Sequence, residues 1–135
     1  MNSPPNSYVH GRSDREAERL NYQASKLAQL LHHDTSYPPG SRVLEAACGV
    51  GAQTILLARK SPGAEFVSVD ISGESLLKAK HRVADERITN VMFHQADVYH
   101  LPFRPGTFDH IFVCFLLEHL PDPLLAIKCM KKILR

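Results

Sequence analysis

The feature that most constrains this chain is a short apolar run that ends in a carboxylate and opens into a loop of small residues. The run begins at Val43 and ends in Glu45, and the small residues that follow it, 46–51, include Gly49 and Gly51. A helical pattern starts directly after Gly51. Small residues let a ligand approach bare backbone, and the first turn of a helix offers free N–H groups. We therefore predict a strand, a ligand-binding loop and a helix, in that order.

Two further apolar runs along the chain also end in carboxylates. Residues 66–69 lead to Asp70, and residues 91–96 lead to Asp97. The carboxyl ends of parallel strands meet at one edge of a sheet, which is where open α/β sheets bind their ligands. The three acids therefore predict a nucleoside site along such an edge.

The remaining pattern predicts an α/β fold with a parallel sheet and right-handed crossovers. We expect an N-terminal arm and lead-in helix over residues 1–37 and one domain over residues 38–135. Ser13 and Glu16 form a capping box for the first helix, and Ser72 and Asp122 are the expected N-caps of later helices. The predicted helices cover 14–32, 52–60, 72–84 and a segment after Asp122, and the predicted strands cover 42–47, 65–70, 90–97 and 109–115.

Helical spacing also predicts which side chains face the core. In the third helix we expect Leu76, Leu77, the stem of Lys80 and Val83 on the inner side. In the last helix the apolar stripe consists of Leu124, Leu125, Ile127, Met130, Ile133 and Leu134. Phe103 and Phe108 are expected in the core.

Composition narrows the function classes. With 135 residues the chain suits one modest domain, and its net charge of +2 is too small to indicate a nucleic-acid partner. No apolar run is long enough for a membrane span and no signal peptide is visible, so no membrane partner is expected. Three cysteines without close pairing favour a reducing compartment, and we expect a cytoplasmic protein. His32, His33 and Asp34 lack further ligands at suitable spacing, so no metal site is predicted.

The acid in the first strand indicates the charge of the ligand. Glu45 would repel a pyrophosphate, and Thr54 breaks the dinucleotide pattern of three glycines, which disfavours a nicotinamide-dependent oxidoreductase. A cationic ligand such as S-adenosylmethionine suits the acid better. Asp70 is then placed to accept both ribose hydroxyls, or else to cap the next helix. Asp97 is placed to accept the adenine amino group, or else to form a loop Asx turn.

At this point the sequence resembles the class I S-adenosylmethionine-dependent methyltransferases, and most of all the ubiquinone/menaquinone-biosynthesis-type, methyltransferase type 11-like branch. The resemblance covers about residues 40–135 and rests on segments 43–51, 69–72, 95–98, 101–103, 108–110 and 117–123. Ala47 stands where the family has its first loop glycine. The family sheet has seven strands in the order 3-2-1-4-5-7-6, whereas the sequence shows strands one to four and strands five to seven are absent.

The resemblance implies a Rossmann-like sheet and S-adenosyl-L-methionine as the cofactor. It implies a cofactor site formed by Glu45, Ala47, Cys48, Gly49, Gly51, Gln53, Asp70, Ile71, Ala96, Asp97, Val98 and Cys114. His119 is a weak candidate for a catalytic base, and a structural loop histidine is the favoured interpretation of that residue.

The expected activity is methyl transfer to a small-molecule acceptor that the sequence does not identify. The main alternative is a non-catalytic cofactor-binding or interaction fragment, because half of the family's sheet is missing. The fourth strand would then expose an uncharged, apolar edge over residues 111–117, which predicts self-association.

Overall fold

The computed structural model describes residues 14–135, and within the first helix it describes only some of the side chains. The chain forms two compact units, one ending at His33 and one spanning Asp34–Arg135. In the first unit, helix α1 covers Asp14–Leu31, and a ring nitrogen of His33 lies 3.2 Å from the carbonyl oxygen of Leu30 in its last turn. The predicted capping box at Ser13 lies outside the described residues. The predicted boundary between residues 37 and 38 stays a prediction.

The second unit is built on a parallel sheet of four strands in the order β3-β2-β1-β4. The strands are β1 (Arg42–Ala46), β2 (Glu65–Asp70), β3 (Val91–Gln95) and β4 (His110–Val113). Strand β1 lies between β2 and β4, with Val43 opposite Phe66 on one side and His110 on the other. The predicted α/β class, the parallel sheet and the strand order are confirmed.

Helix α2 (Ala52–Lys60) connects β1 to β2, helix α3 (Gly73–Asp85) connects β2 to β3, and helix α4 (Pro123–Lys131) follows β4. Two predicted N-caps are confirmed. The Ser72 hydroxyl accepts from the Ser75 N–H at 3.2 Å, and the Asp122 carboxylate accepts from the Leu125 N–H at 3.0 Å. A short 3-10 turn, Leu117–His119, lies between β4 and α4. The described helices lack the combined length and apolar character of a membrane span.

The core lies on both faces of the sheet, because the central strands are covered on both sides. Val43 packs with Leu57 and Phe66 in one cluster, and Leu44 packs with Val69 and Phe108 in another. Phe103 contacts the ring of Phe108 edge to face at 5.0 Å. Both phenylalanines therefore belong to the core, as predicted.

The predicted inner sides of two helices are partly wrong. In α3 the buried positions are Leu76, Ala79 and Val83, whereas Leu77 is 57% exposed and Lys80 is exposed as well. A residue one position along a helix lies about 100° further around the axis, outside the stripe that faces the sheet. In α4 the sheet covers Ala126 and Met130, and Ile133 just beyond the helix is buried as predicted. Three predicted stripe residues are exposed: Leu124, Leu125 and Ile127.

The fourth strand is shorter than the sequence predicts, and the chain forms one further bridge just before it. Phe115 has a φ of 55°, a left-handed conformation that cannot continue a strand, and β4 already ends at Val113. Two residues before the strand begins, Phe108 forms an isolated parallel bridge with Leu134. The Phe108 N–H donates to Ile133 at 3.1 Å, and the Arg135 N–H donates to Phe108 at 2.9 Å. Among the described strands none pairs with β4 on the side away from β1, so the self-association expected from this edge stays a prediction.

Candidate functional site

A cavity of about 180 Å³ lies at the carboxyl ends of the strands. Side chains that follow β1, β2, β3 and β4 converge there, as the edge rule for parallel sheets predicts. Six predicted cofactor residues line the cavity: Ala47, Asp70, Ile71, Ala96, Asp97 and Val98. Three further lining residues, Tyr99, Leu116 and Leu120, were not predicted as site residues. The sequence could have indicated these three residues, because they lie in the segments that follow β3 and β4.

The small-residue loop adopts left-handed backbone conformations, which its glycines allow. Ala47, Gly49 and Gly51 all have a positive φ, at 58°, 56° and 84°. A Cβ placed on Gly49 would meet no atom within 4 Å, whereas one on Gly51 would lie 3.1 Å from the Cβ of Ala79. Gly51 therefore allows α3 to pack closely against the loop, and Gly49 leaves open space beside the backbone for a ligand.

Asp70 ties this loop to the start of α3. One carboxylate oxygen accepts from the Gly49 N–H at 2.8 Å, and the other accepts from the Ser72 N–H at 2.9 Å. The N-cap of α3 is Ser72, so the capping alternative for Asp70 is not what the structure shows. Each carboxylate oxygen can accept a second hydrogen bond. Asp70 thus lines the cavity with acceptor capacity left, and the ribose contact stays a prediction.

Asp97 lines the same cavity from the end of β3. Its carboxylate accepts from the Tyr99 N–H at 2.9 Å, which is the Asx turn considered above as the alternative. His100 lies 3.8 Å from the other oxygen of this carboxylate. The turn and a ligand contact are compatible, since the turn uses one acceptor position of the carboxylate. The contact of Asp97 with an adenine stays a prediction.

Glu45 is buried beneath the loop and does not line the cavity. Its exposed fraction is 2%, and one carboxylate oxygen accepts from the hydroxyls of Thr54 at 2.5 Å and Ser68 at 2.7 Å. Burial raises the pKa of Glu45, the two hydroxyls oppose that rise, and Asp70 adds to it. Thr54 and Ser68 are functional candidates that the sequence did not reveal, because their pairing with Glu45 depends on the fold.

Gln53 carries an unsatisfied acceptor beside the loop. Within residues 14–135, its Oε1 is a buried side-chain oxygen without a hydrogen-bond partner. The same side chain hydrogen-bonds to Cys114 at the end of β4, where burial raises the pKa of the thiol and Gln53 opposes that rise. A buried oxygen without a donor is costly, so a ligand that brings an N–H group there would stabilise it.

Two further predicted site residues, Cys48 and His119, are not among the residues that line the cavity. Cys48 is buried, and burial together with Glu45 and Asp70 raises the pKa of its thiol, which stays protonated at neutral pH. The side chain of His119 is 73% exposed, lies 3.7 Å from Glu118 and does not line the cavity. A catalytic role for His119 stays a prediction. Across the described part of the chain, no cluster of metal-ligating side chains occurs.

Comparison with known proteins identifies the family. A model described as "Methyltransferase domain" matches residues 43–135. The chain belongs to this methyltransferase family. The match covers the sheet, the loop and the cavity, and it confirms the resemblance to class I S-adenosylmethionine-dependent methyltransferases that the motifs indicate.

Three similar proteins illustrate the relationship. Methyltransferase GfsG of Streptomyces halstedii is 32% identical over 82% of this chain and 40% of its own length. Demethylmenaquinone methyltransferase of Staphylococcus aureus is 32% identical over 90% of this chain and 51% of its own length. The crystal structure of a putative S-adenosyl-L-methionine-dependent methyltransferase from Methanococcus maripaludis matches with a TM-score of 0.73 at 19% identity, over 90% of this chain and 58% of the other. The chain thus spans between 40% and 58% of the length of these proteins.

Proposed function

We propose that the protein binds S-adenosyl-L-methionine in the cavity at the carboxyl ends of its strands and transfers the methyl group to a small-molecule acceptor. The observation that carries the proposal is the convergence of Asp70, Ile71, Asp97 and Val98 on one cavity beside the Gly49 loop. Membership of the methyltransferase family supports the same reaction class. The cofactor, when bound, supplies a methyl group on a positively charged sulfur.

The residues at the cavity fit the parts of this cofactor. Asp70 offers acceptors for the ribose hydroxyls, and Asp97 offers one for the adenine amino group. Ile71 is 67% exposed at the cavity wall, and Val98 is buried there, so both offer apolar surface to a base. The unsatisfied Gln53 Oε1 and the open space at Gly49 suit the amino-acid part, whose ammonium donates hydrogen bonds.

The charge around the loop favours a cation over a phosphate. Glu45 lies beneath the loop, and Asp70 accepts from the loop's own Gly49 N–H. In a dinucleotide-binding loop such N–H groups face a pyrophosphate. Here the Asp70 carboxylate accepts from the loop instead, and a carboxylate at this position repels a pyrophosphate and attracts an ammonium or sulfonium group. This arrangement supports the methyltransferase proposal against the nicotinamide-dependent alternative.

The test is calorimetric titration with S-adenosylhomocysteine, with NAD as the comparison ligand. We expect binding of S-adenosylhomocysteine, a rise in the thermal midpoint with its concentration, and neither effect with NAD. Binding of NAD alone would overturn the proposed cofactor.

Gly49→Val should abolish this binding, because it places a branched side chain in the open space beside the loop. Gly40→Val is the matched control. Gly40 also has a positive φ and open space around its Cβ position, but it lies in the turn before β1, whereas the N–H of Gly49 donates to the cavity residue Asp70. The two variants share the backbone strain, so only a loss specific to Gly49→Val supports the site. Equal losses of binding in both variants would contradict it.

Turnover is a separate measurement. Transfer of a labelled methyl group is followed over a panel of small acceptors, beginning with demethylmenaquinone because the Staphylococcus aureus relative bears that name. Binding of S-adenosylhomocysteine without transfer to any acceptor would favour the non-catalytic alternative. If transfer occurs, His119→Ala tests the proposed base: a fall in kcat at unchanged cofactor affinity supports it.

We also propose a cytoplasmic location, which the free cysteines Cys48, Cys114 and Cys129 suit.

A further inference from the structure

The outward side of α4 carries an unusual combination of side chains. Three aliphatic residues are exposed there, Leu124 at 61%, Leu125 at 46% and Ile127 at 44%. Lys128, Lys131 and Lys132 are exposed on the same helix or at its C-cap. We call these six residues the α4 outer face. Residues 123–132 include no Asp or Glu, so this face is purely cationic and aliphatic.

Helical geometry places the six residues on one side of α4. Ala126 and Met130 are buried against the core and mark the inward side, which Ile133 continues just beyond the helix. At about 100° per residue, the side opposite to these buried residues carries Leu124, Lys128 and Lys131. The edges of that outward side carry Leu125, Ile127 and Lys132. The lysines are therefore interleaved with the aliphatic side chains rather than separated from them.

Single exposed aliphatic residues are ordinary on a protein surface. Three of them within four positions, on a helix whose residues 123–132 include three exposed lysines and no acid, favour a partner that is both anionic and apolar, and the one adjoining acid is the N-cap Asp122. A second copy of the same face is disfavoured, because it would bring two groups of lysines together. A protein partner is disfavoured as well, since lysine is depleted at the centre of protein interfaces and leucine is under-represented among their hot spots.

We propose that the α4 outer face binds the surface of an anionic lipid membrane. Lysine stems can lie along apolar material while their ammonium groups reach lipid phosphates, and the leucine and isoleucine side chains enter the boundary between headgroups and acyl chains. This contact is peripheral and needs no membrane-spanning helix, of which the described residues have none, but it departs from the expectation from sequence that the protein has no membrane partner. It goes beyond the proposed methyl transfer and does not depend on it.

The expected binding is weak, electrostatic and sensitive to salt. Each lysine near an anionic surface contributes about a fivefold change in membrane partitioning, and the contribution falls within the screening length of the solution. The test is flotation of the full chain with vesicles of phosphatidylcholine alone, and with vesicles that also contain phosphatidylglycerol. We expect flotation with the anionic vesicles only, and its loss at high salt.

Variants locate the contact. Lys128→Gln with Lys131→Gln should lower partitioning about 25-fold, and Leu124→Ser with Ile127→Ser should lower it at constant charge. The matched control is Leu77→Ser with Lys80→Gln on α3, which removes an exposed aliphatic residue and an exposed lysine from another helix. Circular dichroism and S-adenosylhomocysteine binding report the fold and the proposed cofactor site separately.

Three outcomes would overturn the inference. They are absence of flotation with anionic vesicles, equal flotation with neutral vesicles, and equal loss in the α3 control. Loss of self-association rather than of flotation in the leucine variant would instead identify a second copy as the occupant of the face, and would also overturn it.

Discussion

Asp70 combines a structural task with its predicted binding task. It accepts the N–H groups of Gly49 and Ser72, so it fixes the loop and the entry to α3 before any ligand arrives. The sequence predicts the carboxylate at the end of β2 but not these two backbone partners, because they depend on how the loop turns back over the strand. The same dual use holds at Asp97, where the Asx turn and the cavity share one carboxylate.

Asp70→Ala should weaken S-adenosylhomocysteine binding by roughly 30- to 150-fold, which corresponds to about 2–3 kcal/mol for a charge-assisted bidentate acceptor. It should also lower the thermal midpoint, because two backbone N–H groups lose their acceptor. Calorimetry and thermal unfolding measure the two effects separately. Asp109→Ala is the control: Asp109 accepts the Arg42 N–H at 2.8 Å but does not line the cavity. Unchanged affinity in a folded Asp70→Ala protein would remove Asp70 from the binding site.

Glu45 lies where its charge costs stability. Burial raises the pKa of Glu45, so the folded state favours its protonated form more than the unfolded state does. The resulting stability is full below the unfolded pKa and is lost as the pH rises through the folded pKa. Keeping a buried carboxylate at neutral pH is therefore unfavourable for folding, which is a common mark of a functional group.

Glu45→Gln should leave the thermal midpoint at neutral pH equal or higher, since the amide oxygen can still accept from Thr54 and Ser68. It should flatten the fall in stability between acidic and neutral pH, and it should weaken binding of the cationic ligand. Thermal unfolding over a pH series measures the first effect, with Glu65→Gln at an exposed position as the control. A large fall in the midpoint at neutral pH would mean that the charge itself stabilises the fold.

At the scale of elements, α3 supports the binding loop. The Arg82 guanidinium donates to the carbonyl oxygen of Val50 at 3.4 Å, and Ala79 packs where a Cβ on Gly51 would lie. The loop conformation therefore depends on a helix whose residues do not line the cavity. Arg82 is a positioning residue, and its effect on a ligand passes through the backbone of residues 49–51.

Arg82→Ala should weaken S-adenosylhomocysteine binding about fivefold, the effect of one long charge-assisted hydrogen bond of about 1 kcal/mol. The free energy of S-adenosylhomocysteine binding should change more than the free energy of unfolding, so the affinity and the thermal midpoint are both measured. Arg59→Ala is the matched control, since Arg59 pairs with Glu86 away from the loop. Equal affinities in the two variants would show that Arg82 does not position the loop.

Element by element, the sequence predicts where helices and strands lie better than which side of a helix is covered. Apolar periodicity placed Leu77 and Leu124 with the buried residues, yet both are exposed. Periodicity reports spacing along one helix, whereas burial depends on which neighbouring elements reach that helix. Caps such as Ser72 and Asp122 were predictable because their hydrogen bonds are local in sequence.

At the scale of the whole molecule, the open part of the β4 edge remains a predicted contact surface. Leu134 pairs with Phe108, but no described strand pairs with His110–Val113 on the side away from β1. Hydrogen bonds of a parallel strand alternate in direction. The Asp109 N–H donates to β1 and the Phe108 N–H donates outward, so the N–H of His110 also faces outward. Unpaired strand edges favour association with another chain.

We therefore predict concentration-dependent self-association of the 135-residue chain, measured by sedimentation velocity. His110→Pro should reduce it, because proline removes an outward N–H without removing a hydrogen bond to β1. His110→Ala is the control for the ring contact with Tyr37, whose centroid lies 5.0 Å from that of His110. A monomer at all accessible concentrations, or equal behaviour of the two variants, would contradict the prediction.

The places of Asp70 and Asp97 in the cavity followed from their positions at two strand ends, since parallel strands gather their carboxyl ends at one edge. The family resemblance implied four further lining residues: Ala47, Ile71, Ala96 and Val98. The buried group of Glu45, Thr54 and Ser68 did not follow, because its members come from β1, α2 and β2 and meet only in the fold. The Phe108–Leu134 bridge was missed for the same reason, as it joins residues on either side of α4.

The most direct test of the proposed cofactor site is a crystal structure of the protein with S-adenosylhomocysteine. We expect the adenine in the cavity beside Ile71 and Val98, the ribose hydroxyls on Asp70, and the ammonium within hydrogen-bond distance of Gln53 Oε1. A ligand bound elsewhere, or with its ribose away from Asp70, would contradict the account.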